Sequence, residues 1–264
     1  MQWWCSADSG PWTWTWIAYP GVWAFVLTTA WLHRKYARHA DTPMGARVAG
    51  WCGVVLLWLS LDWPMGPLAA GYLASAHATQ FIVVALISPP LILIGARHGL
   101  AARIGAGGAV ARWLTHPLIA GIAFNIVVMA THVPRVNDAL MPMQFGAFAV
   151  DVAWFIAGIW FWWPILVPVP HRPRFAIPLQ MLYLFLGTLV HTGIAMVMLV
   201  HDHPMYGIYE LAPRATAMSA ITDLKVAGGI MELAGAGVIF GVLTAMFFKW
   251  SGGSGAETKA THGV

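Results

Sequence analysis

Long apolar stretches alternate with short polar ones along this chain. Seven runs, near residues 18–33, 47–61, 72–96, 115–131, 146–167, 177–200 and 223–248, are rich in Leu, Ile, Val, Ala, Phe and Trp. About 20 helical residues cross a hydrocarbon core of about 30 Å, so each run predicts one crossing, the first two being the shortest. Lipid offers no partner to backbone N–H and C=O groups, so a spanning run is a helix or part of a closed barrel. Barrel strands alternate polar and apolar side chains, and these runs do not. The pattern predicts an all-α polytopic membrane protein, a seven-transmembrane-helix bundle. Residues 1–250 read as one domain, and 251–264, SGGSGAETKATHGV, as a flexible cytoplasmic tail.

Composition narrows the alternatives. The 264 residues are 59% hydrophobic and only 9% charged. Soluble domains carry about 25% charged residues to cover their surface. The net charge of +4 therefore speaks of orientation rather than of nucleic acid. With seven crossings, Arg34, Lys35, Arg38, Arg47, Arg97, Arg103, Arg112, Arg172, Arg174, Lys249 and Lys259 fall on one side. Arg135, Arg214 and Lys225 fall on the other. Positive charge stays in the cytoplasm, so the amino terminus is expected outside and the carboxyl terminus inside. Asp8, Asp62, Asp138, Asp202 and Glu210 then lie outside. The opening residues MQWWCSADSGPWTWTW lack the basic and apolar regions of a cleavable leader, and their tryptophans are expected at the outer headgroup level. Cys5 and Cys52 fall on opposite sides and are expected unpaired.

The costly polar residues gather at one depth. His77, His132, Asp151, His191, Asp223 and Glu232 come from five runs, and all fall in the outer halves. Asn125, Met129 and His132 share one helical stripe, as do His191 and Met198. Asp223, Met231 and Glu232 are interleaved with Gly228, Gly229 and Gly235, which would let helices approach closely. Intramembrane ionisable groups are candidates for function. Against that stands interfacial snorkelling for His77 and His132, solvation for His201 and His203, and ion pairing with Arg135, Arg214 or Lys225. Imidazole and thioether together suit copper(I). Two histidines could instead bind haem axially. No mid-membrane lysine is present for retinal. No nucleophile–base pair or phosphate loop is visible, so the chain is not expected to be an enzyme.

Residues 75–95, SAHATQFIVVALISPPLILIG, hold His77 and a double proline, Pro89-Pro90, in one apolar run. Two readings stay open. The prolines bend the helix and widen an outer pocket, or they end it before the cytoplasmic loop.

ASAHATQFIVVALISPPLILIG (74–95), HPLIAGIAFNIVVMATHVP (116–134), AGIWFWWPIL (157–166), LYLFLGTLVHTGIAMVML (182–199) and ITDLKVAGGIME (221–232) occur in order. As a set they resemble the motifs of the seven-helix CtaG-type cytochrome c oxidase assembly factors, over roughly residues 15–248. The resemblance implies a multi-pass protein of the bacterial inner (plasma) membrane. It would help mature the catalytic subunit of a haem–copper oxidase, with copper inserted at the periplasmic side. Its partners would be that subunit or other assembly factors. His77, His132, His191, Asp223 and Met231 match motif positions. Phe81 and Asp151 stand where the family pattern carries histidines, and the expected metal ligands are His77, His132, His191, Asp151, Asp223 and Met231. The alternatives are a metal-free scaffold or accessory subunit of a respiratory complex, and a copper transporter. A transporter would need polar residues continuing to the inner face.

Overall fold

The computed structural model describes residues 2–7, 10–104, 115–168 and 176–261, with side chains described through Gly252. The charge assignments of Asp8, Arg112, Arg172, Arg174 and the Lys259 side chain lie outside these residues. All regular structure among the described residues is helical. The helices are α1 (Pro20–Ala37), α2 (Met44–Leu61), α3 (Met65–Gly71), α4 (Ala74–Phe81), α5 (Ser88–Ile104), α6 (Pro117–His132), α7 (Pro134–Leu140), α8 (Gln144–Leu166), α9 (Ile177–Val200), α10 (Gly207–Glu210) and α11 (Ala220–Thr261). A π-helical segment, Ile82–Ile87, joins α4 to α5.

Each predicted run contains a helix, and proline chemistry sets several boundaries. Pro20, Pro117 and Pro134 occupy first turns, where a missing N–H costs nothing. Pro134 cannot extend α6, and the chain bends by 74° into α7. Five helices are long and apolar enough to cross a membrane by themselves: Met44–Leu61, Ala74–Arg103, Gln144–Leu166, Ile177–Val200 and Ala220–Gly252. The bent pair α6–α7 makes a sixth if taken as one span. The 18 residues of α1 carry Thr28, Thr29, His33, Arg34 and Lys35, and α1 is the helix of the predicted seven that falls short in apolarity.

Ala74–Arg103 is the central span. In an apolar stretch of 18 residues within it 67% of the residues are buried, against 17% in the corresponding stretch of Ala220–Gly252. α1 and α2 pack on its α5 half, α11 on α4, and α8 on the π segment and α5. α6 packs on α8 and α9, and α9 lies along α11.

The double proline neither ends this span nor breaks it. Pro89 and Pro90 cannot donate to the carbonyls of Ala85 and Leu86 four residues earlier. The helix answers by widening: the Ser88 N–H reaches back five residues to the Val83 carbonyl. The released Ala85 carbonyl lies against Gly158 of α8, where an ideal Cβ would sit 2.3 Å from that oxygen. Gly158 thus makes room for a carbonyl that proline set free. Ser88 Oγ donates to the Gly53 carbonyl of α2 at 2.8 Å, fastening the same turn on its other side.

The amino-terminal segment corrects one expectation. Trp14 and Trp16 are exposed, as headgroup-level tryptophans would be. Trp4 instead is completely buried between helices, with its indole edge-on to Phe148 and Phe25. The Trp3 N–H donates to Gln144 Oε1 at 2.7 Å, and the Trp3 carbonyl accepts from the Gly21 N–H. An indole can go inside when its N–H finds an acceptor.

Candidate histidine site

His77 sits one turn into α4, and the start of that helix is held by another helix. Asp223 of α11 accepts the Ala74 N–H at 2.6 Å and the Ser75 N–H at 3.2 Å, and also accepts the Ser75 hydroxyl. The first N–H groups of a helix have no internal partner, and a carboxylate there is also favoured by the helix dipole. Asp223, expected among metal ligands, is therefore engaged as a cap supplied in trans. It positions His77 rather than facing it.

His132 closes α6. Its Nδ1 lies 2.8 Å from the Val128 carbonyl. A carbonyl only accepts, so Nδ1 carries the proton and Nε2 presents a lone pair. That Nε2 is buried and has no partner. Both ring nitrogens of His77 are likewise buried and unpartnered. The two rings stand 6.2 Å apart, centroid to centroid.

Aromatic rings enclose the pair. Trp154 of α8 stacks on His132 at 5.8 Å and meets His77 at 4.9 Å. Its Nε1–H donates to Thr131 Oγ1 at 2.8 Å. Phe81, one turn after His77, contacts His132 at 5.0 Å and Trp154 at 5.2 Å. The position where a further imidazole was expected is thus an apolar wall. From the short helix α10, Tyr209 covers His77 at 5.7 Å and donates its hydroxyl to the Ala69 carbonyl. Tyr206 donates to the His132 carbonyl at 3.0 Å. Asp138 of α7 accepts the Gly207 and Ile208 N–H groups and fixes this cover. Burial pushes both phenols above their ordinary range, so both stay protonated donors.

His191 of α9 is buried, with both nitrogens unpartnered. Its Nε2 packs on Gly235 of α11, where a Cβ would lie 2.5 Å away. Met231, fully buried, is one turn before Gly235 on the same face of α11. Asp151 belongs elsewhere: its Oδ2 accepts the Trp4 Nε1–H at 2.8 Å, on the side of α8 that receives the amino-terminal segment. Beside it, Cys5 is buried and donates to the Leu61 carbonyl. Burial pushes the Cys5 thiol well up, with Asp151 and Asp62 adding to the shift.

The six expected ligands thus separate. His77 and His132 lie side by side in an aromatic box, while His191 packs on Gly235 of α11, with Met231 one turn earlier on that helix. Asp223 and Asp151 are engaged by backbone and indole donors. Among the described residues no group of three His, Cys, Asp or Glu side chains is placed to hold a metal ion. Sequence reasoning missed Trp154, Tyr206, Tyr209 and Trp4. Trp154 carried one signal, its position three residues after Asp151 in an otherwise apolar run.

Fold and site together define a polytopic helical membrane protein with paired, partnerless imidazoles buried near one end of its bundle. The family model described as cytochrome c oxidase caa3 assembly factor matches residues 23–252, and the chain belongs to that family. No curated protein and no solved structure matches it.

Proposed function

We propose that this assembly factor holds copper(I) between His77 and His132 and passes it to the catalytic subunit of a haem–copper oxidase. The observation that carries the reading is the His132 ring. Its Nδ1–H is committed to the Val128 carbonyl, and its Nε2 lone pair is buried without a donor, as in histidines that ligate metals. His77 fits as the second ligand. Metal–nitrogen bonds are about 2.0 Å. Allowing about 1.2 Å from each nitrogen to its ring centre, two imidazoles sharing an ion have centroids about 6 Å apart, matching the 6.2 Å observed. Few ligands in apolar surroundings suit a soft monovalent ion. His191 and Met231 provide the next nitrogen and thioether. The aromatic box excludes water, and Tyr209 and Tyr206 close it from the loop side.

The same reading places seven crossings in the bacterial inner membrane, with the amino terminus and histidine pair outside. Supporting it, Arg34, Lys35, Arg47 and Arg97 gather where His39 stacks on His98, the end of α1 and α5 remote from the site.

A metal-free scaffold is favoured by one observation, that no three ligating groups converge among the described residues. Anaerobic copper(I) titration of the detergent-purified protein against a chromophoric chelator separates the two. The copper reading expects one ion per chain, lost in His77→Ala and in His132→Ala and kept in His203→Ala. A wild-type protein that competes no better than detergent alone supports the scaffold.

A further inference from the structure

The histidine pair is sealed. His77 and His132 are each 5% exposed, and their unpartnered nitrogens are all buried. Anything that reaches them must first move a wall. His77 and Phe81 stand on α4, His132 on α6 and Trp154 on α8, helices packed into the bundle. The remaining wall is different. Tyr206 and Tyr209 belong to the connection between α9 and α11, and of residues 201–219 they are the two that are buried.

Among the described residues, four hydrogen bonds tie this turn to the bundle. The Tyr206 hydroxyl donates to the His132 carbonyl, and the Tyr209 hydroxyl to the Ala69 carbonyl. The Gly207 and Ile208 N–H groups donate to the two oxygens of Asp138, at 3.0 and 3.1 Å. Ala69 and His132 lie in the last turns of α3 and α6, where carbonyls have no helical partner. Water can replace each phenol there, and Asp138 is already half-exposed, so lifting the turn strands no buried polar group. Arg214 donates to the Tyr209 and Glu210 carbonyls from within the same connection, which braces the turn as one piece. Segments with few buried contacts are the ones that open locally while the rest stays folded.

We propose that the turn from Tyr206 to Glu210 is a lid over the histidine pair, latched by Asp138 of α7, and that the pair is loaded and emptied through the opening it uncovers. The identity of the cargo, copper(I), rests on the function proposed above; the lid itself does not.

Two measurements on the full-length protein in detergent separate them. The first uses no copper. His77→Cys puts a thiol under the lid, and its reaction with N-ethylmaleimide is followed by mass spectrometry of the labelled peptide. Cys5, buried in the amino-terminal segment and bonded to the Leu61 carbonyl, is the internal control for general loosening. Asp138→Asn keeps the size of the latch but removes its charge and one acceptor. Labelling at position 77 is expected to rise about tenfold, the effect of losing a hydrogen bond to a charged group, with Cys5 still unreacted. Tyr206→Phe removes one hydroxyl tie and is expected to raise it by less. Unchanged labelling in both variants, or a rise matched at Cys5, overturns the lid.

The second follows copper(I) exchange with the chromophoric chelator. A gate acts on rates, so Asp138→Asn is expected to speed loading and release by a similar factor and to leave the affinity unchanged. A merely structural role would lower the affinity instead. Exchange rates that Asp138→Asn leaves unmoved overturn the route. A wild-type protein that takes up no copper removes the copper reading, and the thiol rates alone then decide the lid.

Discussion

Trp4 donates its indole N–H to Oδ2 of Asp151 at 2.8 Å, across 147 positions of sequence. Both side chains are buried, and the second oxygen, Oδ1, has no partner. The amino-terminal segment thereby becomes part of the bundle: its second tryptophan is the donor that a buried acid on α8 requires.

Removing that donor strands the carboxyl group. Trp4→Phe keeps most of the packing and deletes the N–H, and is expected to destabilise the protein by about 1–3 kcal/mol. Asp151→Leu in the same background recovers part of the loss. A double-mutant cycle on thermal unfolding in detergent reads the coupling; strict additivity would mean the bond contributes nothing.

The cap from Asp223 to α4 predicts a two-part phenotype. Asp223→Ala leaves the Ala74 and Ser75 N–H groups unpaired and is expected to cost about 1–2 kcal/mol. Because α4 carries His77, the variant is also expected to weaken the copper(I) binding proposed above without touching a proposed ligand. Unchanged stability in detergent melts argues against the cap.

Glycines of α11 and α8 separate sharply by what they face. Gly235→Ala sets a methyl 2.5 Å from His191 Nε2, and overpacking of this kind costs about 1–3 kcal/mol. Gly158→Ala meets the Ala85 carbonyl, a backbone atom, at 2.3 Å and is expected to be the more damaging. Gly237→Ala meets nothing within 4 Å and is expected to be neutral or to stabilise. Unfolding temperatures that fail to rank Gly237, Gly235 and Gly158 in that order contradict the packing described.

Cys5 gives a pH dependence with a definite sign. Its thiol has an ordinary value of 9.0 and is pushed well up in the folded protein, first by burial. Below pH 9 both states keep the proton and the full stability is present. Above it the unfolded chain releases the proton while the folded chain holds it, so stability falls as pH rises. Cys5→Ala flattens that alkaline limb. Maleimide labelling adds a check: native Cys5 stays unreacted and becomes reactive on unfolding.

The membrane class, the helical fold and the helix positions follow from sequence alone, because hydrocarbon forces every spanning backbone to bond within itself. That His77 and His132 lie at one depth was legible for a related reason, since buried ionisable groups are too costly to be scattered. Which of the buried groups meet was not legible. Helical spacing put Asp151 and Asp223 at the same depth as the histidines, but depth says nothing of rotation. Only the packed structure turned Asp223 to the start of α4 and Asp151 to Trp4. The π turn at Ile82–Ile87 shows the same division. The prolines announce two lost hydrogen bonds, yet whether the helix stops or widens depended on Gly158, 73 residues beyond Ala85, leaving room for the freed carbonyl. Short-range chemistry is written along the chain; the pairing of distant polar groups is decided where helices touch.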